Sequence, residues 1–96
     1  MNNYHIPADI ENSARKRDTR CVYCGKEFSG DATIEHIDND INNISLENIA
    51  ICCNACNASK GNKKLSEWLE SSYCKEHKIT KESVAPVIKE FIQRNS

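Results

Sequence analysis

Cysteines carry the most specific chemistry in this chain. Cys21 and Cys24 form one C-x-x-C pair, and Cys53 and Cys56 form another. Such a pair lets two thiolates reach one ion from a tight turn, and two pairs complete the closed tetrahedral shell of structural zinc. The 28 residues between the pairs exceed the usual zinc-ribbon gap of about 15–20, so a segment is inserted between the knuckles. A redox C-x-x-C needs one pair beside a βαβ pattern, and none is visible. Cys52 and Cys74 are left over and read as small hydrophobes; on a strand, Cys52 points away from Cys53. A closed four-thiolate site keeps no open coordination position. His36, which lies in the inserted segment "TIEHIDND", is therefore not needed as a ligand of this ion.

The blocks C-V-Y-C, I-E-H-I, S-L-E-N-I and C-N-A-C-N-A-S-K-G follow one another between Cys21 and Gly61. In this order, with a nine-residue step from Asn48 to Asn57, the sequence resembles the HNH endonuclease family in its zinc-stapled ββα-metal form. The resemblance covers Cys21 to about Leu65 and implies a role for each matching position. His36 matches the general base at the end of the first strand. Glu35 matches the acid that holds a catalytic divalent metal. Asn48 matches the middle residue, which orients the histidine and its loop. Asn57 matches the helix residue that completes the metal site. Two features depart from the family pattern: the acid before the histidine is Glu where Asp is commoner, and the following loop lacks the frequent proline and paired glycines.

Elementary chemistry agrees with those roles. Phosphodiester hydrolysis needs a deprotonated water, a cation against the developing negative charge, and a stabilised leaving oxygen. A neutral histidine supplies the first. A hard cation held by carboxylate and amide oxygens supplies the others, so Mg²⁺ or Mn²⁺ fits Glu35 and Asn57 better than zinc does. Neighbouring strand residues point to opposite faces, so Glu35 and His36 converge only if the backbone bends where the Asn/Asp-rich loop begins. Taken alone, a Glu-His pair is an ordinary surface feature, Asn48 could end a turn, and Asn57 could cap a helix. Between paired knuckles the three share a purpose.

The elements that must position these residues read coarsely as α, knuckle, β, loop, β, α, α, α. Pro7 stands near the start of a helix carrying Ile10 and Ala14 on one side. "ATIEHI" and "ENIAICC" read as short strands, and "DNDINNIS" as a loop. "NACNASKGNKK" begins a helix that stops near Gly61, and "LSEWLESSYCKEH" reads as one continuous helix. Val84, Val87, Ile88, Phe91 and Ile92 follow the helical i, i+3, i+4, i+7, i+8 pattern of a core face, with Ser83 as the cap and Pro86 in the first turn. The expected architecture is α+β: a small ββα-metal (HNH) core stapled by a four-cysteine zinc site, with flanking N- and C-terminal helices. Residues 1–96 read as a single domain, with the motif core at about 21–65 and C-terminal helices at about 65–94.

Ninety-six residues with six cysteines would suit a disulfide scaffold in a secreted chain. The N-terminus has no apolar stretch of signal-peptide type and no run is long enough to span a membrane, so a cytoplasmic protein is expected. The formal net charge of −1 announces no global basic field. Locally, Arg15, Lys16, Arg17 and Lys60, Lys63, Lys64 are basic clusters able to meet DNA phosphates, although ordinary solvated surface explains either cluster alone. The expectation is a metal-dependent DNA endonuclease, a monomer (a dimer being possible) that nicks one strand per centre. The alternatives are a non-catalytic zinc module that binds nucleic acid and a protein-interaction domain that uses the C-terminal helix. His5 and His77 have no comparable setting.

Overall fold

The computed structural model describes residues 6–95. His5 lies outside them. Helix α1 (Ala8–Arg17) leads to the first knuckle, then strand β1 (Ala32–His36), strand β2 (Ile49–Cys53) and helix α2 (Asn54–Lys60). Three further helices follow: α3 (Leu65–Trp68), α4 (Ser72–Glu76) and α5 (Pro86–Arg94). The strands pair antiparallel, with Ala32 opposite Cys53 and His36 opposite Ile49.

A lone two-stranded sheet is marginal in water. Here every residue of β2 is buried, because both faces of the sheet are covered. On one face Ile49 and Ile51 pack with Ile6 and Ala14, which puts α1 over that side. On the other, Ala50 and Cys52 join the larger cluster with Val22, Trp68, Val84, Val87 and Ile88. The outer edge of β2 is also closed: Ile51 N donates to the buried Asp18 carboxylate at 3.0 Å, and Val22 N donates to Ile51 O at 3.2 Å. These bonds leave fewer open edge groups for another chain to pair with.

The knuckle turns at Gly25, whose φ of 76° favours glycine, and Gly25 N closes the turn on Cys21 O at 3.0 Å. The second knuckle doubles as a helix cap. Cys53 Sγ accepts from Cys56 N, taking the place that a Ser or Asp oxygen fills at other N-caps. Gly61, at φ 51°, ends α2 where the sequence indicated.

Two expectations need correction. The stretch from Leu65 to His77 is not one helix but two short ones, because Ser71 caps α4 by accepting from Cys74 N at 3.3 Å. The break lets Trp68 bury completely, edge-on to Tyr23 with ring centroids 4.9 Å apart. Ser83 does not cap α5. Its hydroxyl accepts from Thr80 N at 2.8 Å within a tight turn, and α5 starts two residues later with Ala85 at the cap and Pro86 at its first position. Ala85 N donates to Val22 O at 2.9 Å, tying the C-terminal helix to the first knuckle.

Candidate active site

The two knuckles bring Cys21, Cys24, Cys53 and Cys56 together, with all four Sγ atoms within 4.8 Å of one another. Cys24 Sγ and Cys53 Sγ are 3.9 Å apart. Four sulfurs at the zinc bond length of about 2.3 Å would stand about 3.8 Å from each other, so the cluster fits a tetrahedral zinc ion. The bond between Cys56 and Cys21 lowers the Cys21 thiol and raises that of Cys56, while burial raises Cys24, so four thiolates together need a cation among them. Tyr73 Oη lies 3.5 Å from Cys56 Sγ, an outer contact of the kind that orients ligands. Cys52 and Cys74 are buried outside this cluster, as expected of small hydrophobes.

Glu35 and His36 follow the strand's alternation, so the bend that would turn both towards one substrate is not present in β1. Glu35 stands opposite Ala50 and faces the larger cluster; His36 stands opposite Ile49 on the other face. Both are buried. Burial lowers the His36 imidazole from its usual range, with Asp38 and Asp40 pushing partly back, so the neutral form prevails at neutral pH.

Asn48, 1 % exposed, acts on the loop that leaves His36. Its Oδ1 accepts from Asp38 N at 3.0 Å, and its Nδ2 donates to Asp38 Oδ1 and to Asn43 O, each at 2.9 Å. Its main-chain oxygen accepts from Ile37 N at 2.9 Å. Asp38 is the hub of this loop, accepting also from Asp40 N and from Asn43 Nδ2 at 2.8 Å. Burial would raise the Asp38 carboxyl, but these bonds outweigh it and hold the group below its ordinary value. Asn39 turns the chain at φ 66°, a conformation Asn tolerates, and its N–H donates to His36 O at 3.0 Å. Asn and Asp thus do the turning for which the family pattern often uses proline and glycine.

Lys60 is corrected. It was expected to meet phosphates from the surface, yet it is completely buried. Its ammonium donates to Ile37 O at 3.1 Å and Asn39 Oδ1 at 2.9 Å, and stands 3.7 Å from Glu35 Oε1. The Tyr23 hydroxyl donates to Glu35 Oε2. Burial pushes the Glu35 carboxyl up to about 7, against the opposing pull of Lys60 and Tyr23. One buried lysine therefore ties β1, the loop and α2 together. Tyr23 and Asp38 escaped the sequence reading, and Lys60 was assigned to the surface; only the match of its helix phase to Asn57, three residues earlier, pointed inward.

Asn57 is half-buried on α2, one turn before Lys60 and so on the same side of the helix. The Glu35 carboxylate already meets Lys60 at Oε1 and Tyr23 at Oε2, so a divalent cation held there with the Asn57 amide would have to displace these partners. Arg17 is also corrected as a phosphate contact: its guanidinium is engaged by both Asp18 carboxylate oxygens, by Leu46 O at 2.9 Å and by Ile49 O at 2.6 Å. Arg15 pairs with Glu11 on the same helix at 2.9 Å. Lys16, Lys63 and Lys64 are exposed.

Among the described residues, no helix is long and apolar enough to cross a membrane. No curated protein and no solved structure matches the chain. Residues 21–63 match the family model described as HNH endonuclease. That span takes in both knuckles, both strands, the loop after His36 and all of α2, and over it the chain is similar to the HNH endonuclease family, built here as a small α+β fold around a four-cysteine cluster.

Proposed function

We propose that the protein is a metal-dependent endonuclease that hydrolyses DNA phosphodiesters. His36 is the general base, and its place at the end of β1, inside the segment 21–63 that matches the HNH endonuclease family model, is the observation that carries this reading. Asn48 is a positioning residue that acts through Asp38 and the loop. Glu35 and Asn57 would hold Mg²⁺ or Mn²⁺, which when bound supplies charge stabilisation to the phosphoryl group and its leaving oxygen. Zinc at the four cysteines is structural. With one His36 per chain, each encounter breaks one strand, leaving a 5′-phosphate and a 3′-hydroxyl, and the working unit is a monomer.

Supercoiled plasmid incubated with the zinc-loaded protein and Mg²⁺ or Mn²⁺, with a parallel reaction in EDTA, tests this. Cleavage that needs the added cation and disappears in the His36→Ala protein is expected. A second reading, a nucleic-acid-binding module without catalysis, draws support from the ion pair between Lys60 and Glu35, which already balances the carboxylate. Plasmid that stays intact under every cation, while DNA binding persists, would favour that reading.

A further inference from the structure

A groove of about 1070 Å³ opens beside the His36 loop, between it and helices α3, α4 and α5. Its near end is formed by Ile37 and Asp38, the two residues that follow His36. Its floor is apolar, with Leu69, Phe91 and Ile92. Its rim carries Lys64, Lys75, Lys78 and Lys81, all exposed. None of these four is in an ion pair among the described residues. Two acids also line the groove, Glu70 and Asp38, and the Asp38 carboxylate already accepts from Asn43 and Asn48. The rim is therefore cationic in excess.

Resting on the nuclease reading above, we propose that this groove binds an unpaired strand of nucleic acid alongside the loop that follows His36. Rim lysines would meet the phosphates, and the apolar floor would meet the faces of the bases. A duplex offers its phosphates but hides those faces, whereas a single strand offers both. The Phe91 ring lines the groove with the Arg94 guanidinium over it, 5.8 Å from its centroid, so an aromatic surface and a cation stand together there. Apart from the residues next to His36, the groove lies beyond the matched segment 21–63, so residues 64–95 gain a role in strand binding besides packing.

Binding is measured by fluorescence anisotropy, with zinc-loaded protein and no other divalent cation, so that cleavage plays no part. The probes are labelled oligothymidylate and its duplex with oligodeoxyadenylate. One variant combines Lys75→Gln, Lys78→Asn and Lys81→Gln; Asn is chosen because Lys78 has φ 57°. It should bind the single strand about tenfold more weakly, and the log–log salt slope should flatten by about 2, at about 0.7 per lost phosphate contact. Phe91→Leu keeps the apolar floor but removes the ring, and should weaken strand binding by about fivefold to a hundredfold. Lys89→Gln, on the exposed side of α5, should change nothing.

Wild-type affinity in both groove variants overturns the proposal, as does a Lys89→Gln loss equal to that of the lysine triple. Tighter binding of duplex than of single strand overturns it too, and so does displacement of the strand by polyglutamate as readily as by unlabelled oligothymidylate. Failure of the nuclease reading shows elsewhere, as wild-type protein that binds strands and leaves plasmid intact.

Discussion

At the residue scale, the proposed function rests on His36, with Asn48 and the Glu35–Lys60 pair around it. His36→Ala removes the proposed base without touching a cysteine, although it also trims a buried side chain opposite Ile49. Its plasmid cleavage should fall by about 10²–10⁴, the usual worth of a placed base, while zinc content and circular dichroism stay at wild-type values. Wild-type cleavage rates in that variant would sink the mechanism. Lys60 makes a different prediction. Removing one partner of a buried ion pair leaves the other uncompensated and commonly costs about 3–5 kcal/mol. Lys60→Met should therefore destabilise the zinc-loaded protein to urea by about that amount, and adding Glu35→Gln should restore part of the loss. A Lys60→Met protein as stable as wild type would mean that Glu35 and Lys60 are not coupled. Asn48→Ala should speed hydrogen exchange at the Asp38 amide, since that N–H loses its acceptor. An unchanged exchange rate there would remove Asn48 from its positioning role.

At the element scale, the two knuckles do what the short strands cannot. Each cysteine pair fixes one turn, and the second also caps α2, so that one cluster sets the start of the helix carrying Asn57 and Lys60. We predict one zinc ion per chain by elemental analysis. Cys→Ser changes at position 21, 24, 53 or 56 should lose the zinc and much of the helical signal together, because ligation in so small a fold is coupled to folding. Cys52→Ser and Cys74→Ser should keep the zinc. Zinc loss in Cys52→Ser, with the four knuckle cysteines intact, would show that the ligand set is wrong. The break between α3 and α4 belongs to this scale as well. Ser71 interrupts a stretch whose apolar spacing alone reads as continuous, and the interruption turns the chain so that Trp68 reaches Tyr23 and Tyr73 stands beside Cys56.

At the scale of the whole molecule, one centre per chain limits what a single encounter can do. At low protein concentration, open circles should accumulate from supercoiled plasmid before linear molecules form. Linear product without an open-circle stage would mean that two centres act together. The sequence by itself determined the parts whose chemistry is intrinsic to residue type and short spacing: the four thiols of the zinc cluster, the histidine at a strand end, the Asn/Asp turn, and the apolar period of Val84 to Ile92. Those features follow from bond geometry and helix or strand periodicity, which local sequence carries. Only the tertiary structure decided which charges meet solvent. Lys60 and Lys64 look alike in the sequence, yet one is buried against Glu35 and the other rims a groove. The difference depends on which strand lies across from α2, and desolvating an ammonium is tolerable only where a carboxylate and two oxygens already wait for it. Arg17 stays exposed, yet the edge of β2 and the buried Asp18 engage its guanidinium, which the sequence alone left free to meet DNA.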